Sequence, residues 1–221
     1  MSAVFKSSMI SIRNILEVMM SSNIYQFRLV LLDTLPEIWR RIQVPENYNF
    51  WDLHVAIQDA MGWLDYHLHE FRLLHQASKE ILRFGIPDKE FGDNELIPGW
   101  EARIADYFPK TGDTAMYSYD FGDGWEHQLV LEAILPADGL INYPVCLDGE
   151  RACPPEDCGG IPGFEQMLET LQNGKAAEQK ELNLWLKNHA KNYYPFVANK
   201  FDPATIVFDD PELRWANAFS G

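Results

Sequence analysis

Tyr119-Asp120-Phe121-Gly122-Asp123-Gly124-Trp125-Glu126-His127 is the stretch whose reading decides the fold. Gly122, Asp123 and Gly124 separate two runs, 115–121 and 126–134, in which apolar side chains fall on alternate positions. Asp-Gly between alternating runs marks a β-hairpin, because the turn needs left-handed backbone that Gly adopts at no steric cost. An antiparallel sheet is therefore expected here.

Outward from the hairpin the same period recurs. Residues 25–32 place Tyr25, Phe27, Leu29 and Leu31 on one face, and residues 38–44 place Ile38, Arg40, Ile42 and Val44 together. Residues 67–74 align His67, His69, Phe71 and Leu73. Residues 52–61 switch to helical spacing through Leu53, Ala56, Ile57 and Ala60, and Gly62 supplies a left-handed stop. Helices are also expected over 164–172 and 179–189, while 96–108 keeps no single period. Residues 136–163, with prolines at 136, 144, 154, 155 and 162, read as one long loop. The fold class is α+β: a mixed β-sheet roll with flanking helices in a single domain over 24–208. An N-terminal extension, 1–23, disordered or an amphipathic helix, precedes it, and a short aromatic tail, 209–221, follows.

Composition narrows the function classes. Hydrophobic residues make up 47% of the 221, enough for a substantial core. No apolar run reaches the roughly 18 residues of a membrane span. The net charge of −15 repels a phosphate backbone, and the basic residues do not cluster, so nucleic acid is disfavoured and the partner is expected to be a protein or small molecule. Three cysteines, all between 146 and 158, do not make a disulfide framework, which points to a reducing cytoplasm.

Chemistry-bearing side chains gather in two stretches, the hairpin and residues 143–164. Asp120, Asp123 and Glu126 sit on the first; Asp148, Glu150, Glu156 and Asp157 sit on the second. Should the proline-stiffened segment fold over the hairpin, these carboxylates converge, and converging carboxylates bind a cation or hold a proton. Asp120, His127, Glu156 and Asp157 are the candidate catalytic groups. The plainer alternatives are a turn role for Asp123 and a helix cap at Glu156-Asp157. Mid-strand Asp120 needs a partner when buried, and Arg40 or Arg41 is the expected one. A metal set is the second candidate: Cys146, Cys153 and Cys158 with His127, and His67 and His69 behind them, for zinc or another divalent ion. The thiol spacing is not that of a C-x2-C finger, so small buried thiols are the alternative. Alternation places His67 and His69 on one strand face. The aromatic residues Trp39, Trp51, Trp63, Trp125, Tyr117, Tyr119 and Phe121 could form a stacking platform for bases, but without a basic groove beside them they read as core.

Several strings occur in a recognisable order: Ile38-Trp39-Arg40-Arg41, Met61-Gly62-Trp63, His67-Leu68-His69-Glu70-Phe71, the hairpin itself, Cys146-Leu147-Asp148-Gly149, and Ala152-Cys153-Pro154-Pro155-Glu156-Asp157 before Gly159-Gly160. Together they resemble the plasmid pRiA4b ORF-3-like family over about residues 24–208. The resemblance implies an α+β roll, a cytosolic binding or accessory domain and an association with plasmids or mobile elements. Leu35-Pro36 replaces the Pro-Pro common there, and Cys158 stands where an apolar residue is common, so the resemblance assigns Cys158 no indispensable role. A recombinase reading needs a nucleophilic serine framed by arginines, which this chain lacks. The alternative function is a metal-dependent hydrolase using the hairpin and the 146–160 loop.

Overall fold

The computed structural model describes residues 23–75, 78–87 and 96–219. The extension expected over 1–23 lies outside them, Asn23 apart. An eight-stranded mixed sheet organises the chain, in the order β5-β4-β3-β6-β7-β1-β2-β8. Its strands are β1 (Asn23–Leu31), β2 (Ile38–Pro45), β3 (His69–Leu74), β4 (Ile81–Gly85), β5 (Leu96–Pro98), β6 (Thr114–Tyr119), β7 (Trp125–Pro136) and β8 (Val145–Glu150). Every pairing is antiparallel except β4 with β5. The β6–β7 hairpin is as expected, but it pairs Tyr119 with Trp125 and Tyr117 with His127, so β6 ends two residues before Phe121 and the turn spans Asp120–Gly124.

Among the described residues five helices accompany the sheet: α1 (Phe50–Met61), α2 (Ile104–Tyr107), α3 (Gly160–Asn173), α4 (Ala176–Asn188) and α5 (Pro211–Phe219). The α+β class is as expected. Helix α1 begins two residues earlier than its apolar spacing suggests, because Asn49 caps it reciprocally with Asp52 and brings Phe50 into the first turn. Gly62 ends it at φ +87°. No helix among the described residues is long and apolar enough to cross a membrane.

The pleat sorts the side chains. Phe27, Leu29, Ile42, Phe71, Tyr117, Trp125 and Leu129 face inward and are buried with Phe50, Leu53 and Ile57 of α1. The outer face is a polar lattice: Arg41 reaches Glu132 at 2.6 Å, Arg72 reaches Glu126 at 2.6 Å and Arg83 reaches Glu70 at 2.5 Å.

The segment 136–163 is not one loop. Its middle forms β8, which pairs with the outer edge of β2 at Ile42–Cys146 and Trp39–Glu150 after a bulge between Arg41 and Ile42. The sequence hides this strand because none of its side chains is buried and they carry no apolar alternation. Residues 96–108 resolve into β5, a short 3₁₀ turn and α2. The tail folds as α5, whose Trp215 lies edge-on to Trp51 at 5.2 Å and whose Arg214 reaches Asp59 at 2.6 Å.

Candidate functional site

At the closed end of the hairpin the chain must reverse within Asp120–Gly124. Asp120 turns it, with φ +52°, a conformation that Asp and Asn tolerate better than other side chains with a Cβ. Its Oδ1 accepts the N–H groups of Gly122 at 2.9 Å and Asp123 at 3.2 Å. That turn consumes one carboxylate oxygen and aims the other, Oδ2, at the Nε2 of His67, 3.5 Å away. Asp120 is 6% exposed. Its partners are therefore the turn and His67, not an arginine: Arg40 is committed to the carbonyls of Ala60, Trp39 and Glu150, and Arg41 to Glu132.

The proline segment does fold over this turn. Gly159 N–H donates to Asp123 Oδ2 at 3.1 Å. A Cβ on Gly160 would stand 2.4 Å from the Asp123 carbonyl oxygen, so the backbones meet at a distance only glycine allows, and its φ of +67° asks for glycine as well. Trp63 anchors the other side by donating Nε1 to the Pro154 carbonyl at 3.0 Å. Between these anchors lie Glu156 and Asp157, the latter at φ +56°.

Asp157 Oδ1 sits 3.0 Å from His67 Nε2 and faces solvent. Glu156 is completely buried. Its Oε1 accepts from Leu64 N–H at 2.7 Å and from Tyr119 O–H at 2.9 Å. Its Oε2 has no hydrogen-bond partner and lies 4.0 Å from the same His67 nitrogen. Burial pushes the Glu156 carboxyl above the ordinary range, while the Leu64 and Tyr119 donors pull it back. A single imidazole nitrogen thus faces three carboxylates from two separate segments.

Ligand atoms of His67, Asp120 and Asp157 all lie within 4.8 Å of one another, and among the described residues this is the group of three or more His, Cys, Asp or Glu donors that meets that test. One imidazole and two carboxylates suit a divalent ion of the manganese, iron or zinc type. Three protein ligands leave coordination positions open, as in sites that bind an exchangeable ligand.

The remaining sequence candidates stand elsewhere. His67 and His69 do not share a strand face: β3 starts only at His69, because the irregular stretch after Gly62 runs through His67. His69 stacks on His54 with ring centroids 3.4 Å apart, and burial lowers its pKa well below the usual imidazole value. His127 is wholly buried beneath the sheet; its Nδ1 donates to the Tyr117 carbonyl at 3.2 Å, and its pKa is pushed down to about 3 by desolvation. Cys153 is buried, Cys146 donates weakly to the Asp148 carbonyl at 3.6 Å, and Cys158 is half-buried. Burial raises all three thiols, Cys158 to about 12. None of the three sulfurs joins the group around His67.

Sequence reasoning assigned no role to Tyr119 and Leu64, the donors that hold Glu156. Tyr119 was legible only as core. The one available signal was position: an aromatic hydroxyl immediately before Asp120.

The family model described as plasmid pRiA4b ORF-3-like protein matches residues 23–207. A curated relative, the uncharacterized protein y4hQ of Sinorhizobium fredii, is 32% identical over 201 residues, which span 89% of this chain and 96% of that protein. A solved structure, the protein of unknown function MM3350 from Methanosarcina mazei Go1, superposes with a TM-score of 0.74 at 40% identity, covering 85% of this chain and 99% of that one.

Proposed function

The chain belongs to the plasmid pRiA4b ORF-3-like family, and from its own side chains we propose that it is a divalent-cation-binding domain centred on His67, Asp120 and Asp157, with Glu156 behind them. The observation that carries this reading is the unpaired Oε2 of Glu156. An acidic oxygen removed from water without a partner costs several kcal/mol, on the order of 1–3 for the lost hydrogen bond alone and more when ionised. A cation beside His67 Nε2 offsets that cost for Glu156, Asp120 and Asp157 together.

Asp120 and Asp157 supply hard oxygen donors and His67 supplies Nε2; the ion would hold the hairpin turn against the 154–160 segment. The module is read as an accessory binding domain of a reducing cytosol, and its link to plasmids or mobile elements rests on the family's description. A metal-dependent hydrolase is the second reading. What favours it is the solvent-facing Asp157 beside coordination positions that the protein does not fill.

Titration of the full chain with Mn²⁺, read by electron paramagnetic resonance, tests the proposal. One ion per chain is expected, with affinity lowered at least about 100-fold by Asp120→Asn. Asn keeps the Oδ1 contacts and tolerates the positive φ, so the turn survives while the charge goes. Stoichiometric binding left intact by that change, or no binding by the unaltered chain, would overturn it.

A further inference from the structure

A groove of about 330 Å³ runs between α3 and α4 and ends on Asp157, the solvent-facing carboxylate of the centre. Met167, Leu182 and Trp185 form its apolar lining, and at one end the Gly163 backbone packs directly on the Cys158 carbonyl, an approach that a Cβ would prevent. Its size falls in the range of small-molecule and side-chain pockets. Trp185 is 37% exposed, so a large aromatic face stands uncovered beside a polar centre.

Charge decides what completes the coordination of a bound ion. Asp120 and Asp157 as carboxylates already balance a divalent cation, and Glu156, when ionised, takes the centre to −1. Asp123, joined to the same segment through Gly159, adds another negative charge. Among the described residues no arginine or lysine lies within salt-bridge distance of these four carboxylates; Lys191, which feels Glu156 at longer range, gives its Nζ to the Gly62 carbonyl. A phosphate or carboxylate ligand would therefore enter a field of its own sign, whereas a carbonyl oxygen brings a dipole and no charge.

Resting on the cation reading above, we propose that the centre takes an uncharged, peptide-like amide, whose carbonyl oxygen completes the ion's coordination while its apolar side chain lies in the α3–α4 groove. The anchor is one donor atom; the selectivity is the groove. Apolar burial against Trp185 and Leu182 discriminates a phenyl group from a hydrogen atom, and the carboxylates discriminate against anions.

The test uses the full chain loaded with Mn²⁺ and three probes: N-acetylphenylalaninamide, N-acetylglycinamide and N-acetylphenylalanine. Bound manganese is counted first by electron paramagnetic resonance. Probe affinity and manganese-induced broadening of probe proton signals are then read by nuclear magnetic resonance. The phenylalanine amide should bind about tenfold more tightly than either of the others. Its acetyl protons should broaden, and Trp185→Ala should erase its advantage over the glycine amide at unchanged manganese stoichiometry. Leu182→Ala repeats the test with a smaller truncation. Equal affinities, a preference for the free acid, or no binding of the phenylalanine amide to the loaded chain would each sink the ligand class while leaving the cation reading standing. A chain that takes up no manganese removes both, and the two failures are told apart by the first measurement.

Discussion

Two neighbouring regions of this molecule use the same side-chain chemistry to opposite ends. Beneath the sheet, His54, His69, His127 and Tyr117 form a closed chamber: the Tyr117 hydroxyl serves both His54 Nδ1 and Gln58 Nε2 at 2.8 Å, and His54 Nε2 meets Asp65 at 2.8 Å. At the hairpin mouth, His67 meets Asp120, Glu156 and Asp157 with part of its ring in solvent. His67 and His69 are two residues apart and belong to different regions. In the chamber His69 and His127 are surrounded by aromatic carbon and held neutral by desolvation, so they serve the packing. At the mouth the imidazole is the only non-anionic ligand among carboxylates, so it is a site. Solvent access and the convergence of three acids on one nitrogen, rather than residue type, separate chemistry from structure.

The largest effect is expected where the two regions share a part. Trp63 stacks over Tyr119 at 4.9 Å, lies edge-on to His127 at 5.3 Å and holds Pro154 through its Nε1. Trp63→Ala should lose about 3–5 kcal/mol of unfolding free energy, measured by urea denaturation. It should also weaken Mn²⁺ binding, because the segment bearing Glu156 and Asp157 loses its anchor. Unchanged metal affinity in a destabilised variant would show that the mouth does not depend on the chamber. Asp120→Asn comes next and acts on the mouth alone. A fall of about 100-fold in metal affinity should come with almost no change in the urea midpoint of the metal-free chain. A large loss of stability in that variant would make Asp120 a structural turn residue first.

How much of this division was legible in the sequence follows from the same physics. The hairpin was, because Asp123-Gly124 and the alternation around it are local signals, although its turn takes in Asp120 and Phe121 as well. The convergence of the two acidic stretches was legible as a condition, since the prolines stiffen the second one; that Gly159-Gly160 make the close approach was not. What was not legible is which histidine faces which side. Period-two reasoning assumes a strand, and residues 62–68 are not one, so His67 and His69 were paired on one face and the fold separates them. Strand β8 was invisible because an edge strand with no buried side chain carries no apolar pattern. The thiols drew attention by crowding in sequence, yet 146, 153 and 158 lie on an edge strand, in the core and in the lining of the groove.

Two smaller effects probe the chamber. Tyr117→Phe removes the hydroxyl shared by His54 and Gln58 and leaves both without it in a dry interior; a loss of about 1–3 kcal/mol is expected, with Mn²⁺ affinity unaltered. His127 gives a pH signature. Desolvation holds it neutral in the fold down to about 3, against an ordinary value of 6.5. As pH falls through 6.5 the unfolded chain takes up a proton that the folded chain refuses, so stability drains from this residue between pH 6.5 and 3. Between pH 7 and 5.5 its share is about 1 kcal/mol. Urea denaturation of His127→Gln should show a loss smaller by that amount over the same interval. An identical slope in both proteins would mean that His127 is not held neutral.

The smallest effect is the one that best separates the two candidate donor sets. Cys146→Ser and Cys158→Ala remove two of the three thiols, neither of them from the deep core. Were thiolates to hold the ion, each change would cost a ligand and nearly all affinity. The geometry argues otherwise. A coordinating sulfur must be a thiolate, and burial pushes each thiol here away from that form, with Asp123 and Asp157 pushing Cys158 further the same way. The sulfurs also do not gather with the His67 nitrogen. Metal affinity within about twofold of the unaltered chain is therefore expected for both variants, a difference too small to reflect a lost bond. Elemental analysis of the two purified proteins checks it. Disappearance of the metal from either would move the centre from the carboxylate mouth to the thiols, and the contrast between mouth and chamber would have to be redrawn around sulfur.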